Sequence, residues 1–132
     1  MKRMIHLKGT AYDRGLQYGK ECSDDIYEYV QRTKYLLSKI AKTNPATVCD
    51  EFVERTQFVA AAEKWTPDLL EEVRGISDGA KIPFNEIFTL QCGDEHGWVF
   101  TKTASDVFEH CSGLGIYKSE QYPTYVAQNL DW

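Results

Sequence analysis

The sequence lacks most of the features that would assign it quickly to a class. Its four cysteines, Cys22, Cys49, Cys92 and Cys111, include no C-x-x-C pair, so no standard zinc or thioredoxin-type motif is written into the chain. Four cysteines at irregular spacing do not read as a disulfide framework, and reduced thiols in a cytoplasmic protein are the expectation. No apolar run approaches the roughly 20 residues of a membrane span. The basic start Lys2-Arg3 leads into Met-Ile-His-Leu-Lys, which is too short and too soon broken by charge for a secretory signal. Positive charge is also in short supply. Lys and Arg total 15 against 20 for Asp and Glu, a net charge of −5. With no basic cluster beyond Lys2-Arg3, nucleic acid is excluded as the expected partner. What remains is ordinary globular composition, 42% hydrophobic and 27% charged over 132 residues. A chain of that length buries roughly two-thirds of its unfolded surface without staples.

From Tyr12 to about Gln91 the apolar residues recur with a helical period. Ile26, Tyr29, Val30, Leu37, Ile40 and Ala41 form one stripe behind Ser23-Asp24-Asp25, a helix cap with acids at the positive end of the dipole. Asn44-Pro45 stops that helix or opens the next. Val48, Phe52, Val53, Thr56 and Val59-Ala60 continue as a second stripe. Thr66-Pro67-Asp68 restarts the pattern for Leu69, Leu70, Val73 and Ile76, with Gly79 near its close. Pro83 opens a short helix carrying Phe84, Ile87, Phe88 and Leu90, and residues 93–109 hold no period and read as a loop.

After residue 110 the texture becomes that of strands. Cys111 to Tyr117 sets Leu114 and Ile116 among small residues, Lys118 to Pro123 reads as a turn, and Thr124 to Trp132 as a second strand. The fold class is therefore α+β: a helical segment over 1–110, then one antiparallel hairpin over 111–132. Two strands alone are marginal in water and leave two open edges. The expectation is the opening piece of a longer α+β protein, with Leu114 and Ile116 buried against helices or a neighbouring chain, and with open edges that permit a homo-oligomer. The other reading is a small helical interaction or regulatory domain whose Cys111 is structural and whose hairpin adds to a partner's sheet.

Several chemical signatures fail on inspection. Gly15-Leu-Gln-Tyr-Gly19-Lys20-Glu21 resembles a phosphate loop, but its glycines sit one residue too close and Glu21 replaces the magnesium-binding Ser/Thr. Those glycines instead suit the close approach of two helices or a turn. Cys92, Asp94, Glu95, His96, His110 and Cys111 match no zinc-site spacing, and Glu95-His96 reads as solvated loop in preference to an acid/base pair. Trp65, Trp98 and Trp132 read as core or interface anchors. The remaining constellation is Glu109-His110-Cys111-Ser112-Gly113 followed by Ala127-Gln128-Asn129-Leu130-Asp131-Trp132. A register pairing Tyr117 with Tyr125 puts Cys111 opposite Asp131, a carboxylate beside a strand-leading thiol.

Three stretches resemble the penicillin acyltransferase family (acyl-CoA:6-aminopenicillanic acid or isopenicillin N acyltransferases), a branch of the N-terminal-nucleophile hydrolases. They are Gly9-Thr10-Ala-Tyr-Asp-Arg-Gly15-Leu-Gln-Tyr-Gly19, Leu69 to Leu90, and Cys111 with Gln128-Asn129-Leu130-Asp131. The resemblance implies an αββα hydrolase fold of which this chain carries the helical pro-segment and the first hairpin. It also implies a proenzyme cut by itself between His110 and Cys111. The freed Cys111 then supplies both the attacking thiol and an α-amine base, Asp131 orients it, and Asn129 and Gln128 support. Gln128, where bile salt hydrolases carry Arg, points to the acyltransferase branch. The implied partners are a small-molecule amide or acyl donor, acyl-CoA among them, and the remainder of its own β-chain; no metal or other cofactor and no membrane is implied. The family's oxyanion-hole asparagine falls beyond Trp132, so these 132 residues alone are expected to be inactive.

Overall fold

The structure, a computed structural model, describes residues 4–93, 95–100, 112–118 and 123–129. It divides into two units, Met1–Lys102 and Thr103–Trp132.

The first unit is helical, and its helices start where local chemistry satisfies their free N–H groups. α1 (Ala11–Glu21) is opened by a capping box. The Asp13 amide donates to Thr10 Oγ1 (3.1 Å) and the Thr10 amide to Asp13 Oδ2 (3.0 Å), so two orphan donors are satisfied reciprocally. α2 (Ser23–Ala41) begins at once, with Cys22 serving as C-cap of α1 and N-cap of α2. The expected cap from Ser23-Asp24-Asp25 is not made, because those residues already lie inside the helix, where Asp24 and Asp25 complement its dipole. α2 ends at Lys42 in the left-handed region. The Asn44 side chain then turns the chain by accepting from the Ala46 amide (2.8 Å) ahead of α3 (Val48–Arg55).

The stripe read as one helix from Val48 to Ala60 is two. Thr56 is extended (φ −120°, ψ 164°), and the chain restarts as α4 (Phe58–Trp65). The break lets Phe58 fold back on Phe52, their ring centroids 5.9 Å apart, which a continuous helix six residues long between them would not favour as well as the observed turn. α5 (Pro67–Ala80) has proline at its first position, where no N–H is needed, and α6 (Phe84–Gln91) follows Pro83. Residues 95–100 form a further short helix, α7 (Glu95–Phe100), in place of the expected loop. Six residues are too few to show a period, and tertiary contacts hold them helical.

Ile26, Val30, Ile82 and Ile87 form one buried cluster; Leu37, Val48 and Cys49 form another. The buried arc of α2 is narrower than its apolar stripe. Tyr29 and Ile40 stay exposed (59% and 46%), as do Leu69 and Trp65, neither of which is a core anchor.

α1 and α5 make the closest packing in the unit. A Cβ on Gly15 would stand 2.0 Å from the Glu72 carbonyl oxygen, and one on Gly19 2.5 Å from that of Ile76. Reciprocally, a Cβ on Gly75 would meet the Tyr12 carbonyl at 2.2 Å and one on Gly79 that of Leu16 at 2.4 Å. Partners advance together along both helices, so the two run in the same direction, backbone against backbone. Each glycine turns a Cα hydrogen toward a carbonyl, a weak but recurrent attraction. Arg14 with Glu72 (2.8 Å) and the Tyr12 hydroxyl donating to Asp78 (2.6 Å) flank the seam. The close approach expected of Gly15 and Gly19 is therefore found, in place of a phosphate loop.

The second unit contains β1 (Ser112–Ile116) and β2 (Tyr125–Asn129), paired antiparallel from Ser112↔Asn129 to Ile116↔Tyr125. The protein is thus mixed helix with a small two-stranded antiparallel sheet. Ile116, not Tyr117, pairs with Tyr125, so the ladder is shifted by one residue from the expected register. The shift matches apolar to apolar: Leu114 meets Ala127 and Ile116 meets Tyr125, whereas the expected register would oppose Leu114 to Gln128. Within the single chain Leu114 and Ile116 are exposed (59% and 47%). Among the described residues no helix is long and apolar enough to cross a membrane.

Candidate active site

Cys111, His110 and Asp131 lie outside the described residues. The described strands border them in sequence. β1 starts at Ser112, the residue that follows Cys111, and β2 ends at Asn129, two residues before Asp131. Both boundaries lie at the same end of the hairpin, where Ser112 pairs with Asn129. Gln128 pairs with Gly113 and is exposed.

The chemistry-bearing side chains of the helical unit are arranged for structure. His96 is buried on α7, its Nε2 2.6 Å from the Thr89 carbonyl oxygen. A carbonyl only accepts, so that nitrogen carries the proton. The ring also stands edge-on to Phe52, centroids 5.0 Å apart. This corrects the reading of Glu95-His96 as solvated loop, since the imidazole is part of the core.

Two thiols are held away from the reactive thiolate. Burial pushes the Cys49 thiol up, opposed by its hydrogen bond with the Thr89 side chain. Burial, assisted by the nearby Glu95 carboxylate, pushes the Cys92 thiol up to about 11. Near neutral pH neither is the nucleophile, because the thiolate is the attacking form. Cys22, Cys49 and Cys92 are all free thiols. Among the described residues no group of three or more His, Cys, Asp or Glu side chains could hold a metal ion. Asp94, His110 and Cys111 of the loose ligand set lie outside them.

The carboxylates with shifted titration also belong to local structure. Hydrogen bonds from Thr10 hold Asp13 below its ordinary range, and those from Thr47 and then Thr43 do the same for Glu51. Tyr12 is raised, chiefly by its hydrogen bond to Asp78. The glycine seam was only half visible beforehand. Gly75 and Gly79 repeat the four-residue spacing of Gly15 and Gly19, and that repeated spacing was the signal for the partner helix.

No family model matches the chain, and no curated protein or solved structure matches it.

Proposed function

We propose that this chain is the front end of a self-processing amide hydrolase or acyltransferase with Cys111 as nucleophile, of the penicillin acyltransferase type within the N-terminal-nucleophile hydrolases. The observation that carries the reading is the hairpin. β1 begins directly after Cys111, and β2 ends two residues before Asp131 at the same end of the ladder. That is where a strand-leading thiol and an orienting carboxylate would belong. The first two of the three resembling stretches supply the two faces of one glycine seam, Gly15 and Gly19 against Gly75 and Gly79, which supports reading them as parts of one pro-segment.

The chemistry follows from the position of the cysteine. Its thiol attacks the His110 carbonyl carbon, the C–N bond breaks, and the nitrogen leaves as the α-amine of Cys111 while the acyl group rests on sulfur. Water then hydrolyses the thioester and releases the new N-terminus. The step is intramolecular, so oriented neighbours act at high effective concentration. Once freed, the amine titrates near about 7.7–8.0 and the thiol near about 8.5, so the amine can take the thiol proton near neutral pH. Transfer or hydrolysis then proceeds through an acyl thioester, with a small-molecule amide or an acyl donor such as acyl-CoA as substrate.

N-terminal sequencing of the full-length gene product tests the assignment. The larger fragment should begin Cys-Ser-Gly-Leu-Gly, and Cys111→Ala should leave one folded, uncut chain. A fragment beginning elsewhere, or cutting that survives in Cys111→Ala, would sink it. One uncut parent chain would favour the helical interaction domain with a structural thiol.

A further inference from the structure

Tyr29 belongs to the apolar stripe of α2, yet it stays out of the core and lines a cavity of about 350 Å³. Four helices build that cavity. Asp25, Ile26 and Tyr29 are spaced to share one side of α2, and Ile87, Leu90 and Gln91 one side of α6. Tyr18 comes from the last turn of α1, which the shared cap at Cys22 joins directly to α2, and Ile76 comes from α5. The floor is aliphatic, with Ile26 and Ile87 buried and Ile76 and Leu90 partly buried beside them. The polar groups are few and of one sign. Among the described residues Asp25 is the one charged side chain lining the cavity, and no donor or cation pairs with it. Gln91 Nε2 donates to the Ile87 carbonyl (3.3 Å), which leaves the amide oxygen as an acceptor. Elsewhere in the unit rings are covered by internal cations, Lys39 over Tyr35 at 5.0 Å and Arg74 over Phe84 at 4.8 Å. Tyr18 and Tyr29 have no such cation among the described residues. A second cavity, beside residues 4–7, is lined by both Lys20 and Glu21 and so has no preference of sign.

We propose that the cavity among α1, α2, α5 and α6 binds a small organic ammonium. Its apolar or aromatic body rests on Ile26, Ile76, Ile87 and Leu90, and its positive charge sits between Asp25 and the rings of Tyr18 and Tyr29. The size fits. At about 30 Å³ for a water-sized group, the volume takes roughly a dozen heavy atoms, and it falls at the small end of ligand cavities. The carboxylate supplies Coulomb attraction, and the face of a tyrosine ring draws a cation through its quadrupole. An anion meets Asp25 with nothing to balance it, and a neutral guest leaves the attraction unused. All the lining residues lie in the helical unit, so the inference is independent of the assignment of Cys111.

Binding is measured on the 132-residue protein by amide and methyl NMR, with probes of matched size: benzyltrimethylammonium, N-benzylacetamide and phenylpropanoate. The ammonium should shift the signals of Tyr18, Tyr29, Ile76 and Leu90. Its dissociation constant should be on the order of 1 mM or tighter, the range open to a ligand of about a dozen atoms. The neutral amide should bind about tenfold more weakly, and the carboxylate more weakly still. Asp25→Asn keeps the shape and removes the charge; it should weaken the ammonium about tenfold and leave the amide little changed. Tyr29→Leu keeps apolar surface and removes the ring, for an expected loss of about twofold to fivefold. Both side chains are exposed, so neither change touches the core. Equal affinity for the three probes, ammonium binding untouched by Asp25→Asn, or shifts confined to other parts of the unit would overturn the proposal. Capture of a lysine-bearing helical peptide by a cavity that leaves the free ammonium unbound would overturn it as well.

Discussion

Replacing Gly15 by alanine tests the seam between α1 and α5 directly. In an ordinary helix interior the change is favourable by about 0.5–1 kcal/mol, because alanine loses less backbone entropy. Here the added Cβ falls 2.0 Å from the Glu72 carbonyl oxygen, 2.9 Å from its carbon and 3.0 Å from the Ile76 nitrogen. All three are backbone atoms, so no side chain can swing aside, and the helices must separate by more than about 1 Å. That separation also loosens Gly19, Gly75 and Gly79, whose contacts share the seam. Overpacking typically costs about 1–3 kcal/mol, and more where nothing yields. A net loss of at least about 2 kcal/mol is expected, corresponding to a drop in midpoint on the order of 10 °C for a unit of this size. Thermal unfolding followed by far-UV circular dichroism measures it. Gly93→Ala is the matched control, since nothing lies within 4 Å of its added Cβ and its φ is not left-handed. Equal midpoints for Gly15→Ala and Gly93→Ala would refute the close backbone packing.

Thr10→Ala should destabilise the helical unit by about 1 kcal/mol through loss of the cap, measured by urea unfolding. Asp13 titrates below its ordinary value of 3.8 when folded, so its contribution is complete above that value and is lost as pH falls through the lower, folded one. An acid titration of Asp13→Asn should lack that part of the parent's loss; identical acid profiles would count against the capping box. Lys34 and Glu86 form an ion pair with side chains only 13% and 16% exposed. Lys34→Met should cost about 1–3 kcal/mol, and adding Glu86→Leu should restore much of it, because no charge is then stranded. A double variant as weak as the single one would contradict this. Alkylation mapped by mass spectrometry should find Cys49 and Cys92 slow at pH 8, with Cys92 accelerating toward pH 11; rapid labelling of Cys92 at pH 7 would contradict its burial.

What the sequence determined by itself is local. Pro67 and Pro83 mark helix starts, because a missing N–H acts within one turn, whereas the Thr10–Asp13 capping box emerged only in the structure. The change from helical to strand texture near residue 110 was legible for the same reason, as was the restart at Pro67. Cys111 and Asp131 stand out in the order of residue types, a strand-leading thiol and a later acid, whereas Asn129 and Gln128 enter only through the resemblance to the penicillin acyltransferase family. Tertiary structure decided the rest. The break at Thr56 lets Phe58 reach Phe52, and α7 is held by Arg55, by Thr89 and by the packing of Phe100 on Leu37, Val48 and Cys49. Which side of α2 is buried depended on what packs there, so Val30 is inside while Tyr29 and Ile40 face outward. The hairpin register was set by matching Leu114 to Ala127 and Ile116 to Tyr125, a comparison between strands that neither strand contains alone. The pairing of Gly15 and Gly19 with Gly75 and Gly79 joins segments some sixty residues apart. A four-residue glycine spacing announces that a helix can be approached closely; only the packed fold selects the helix that does so.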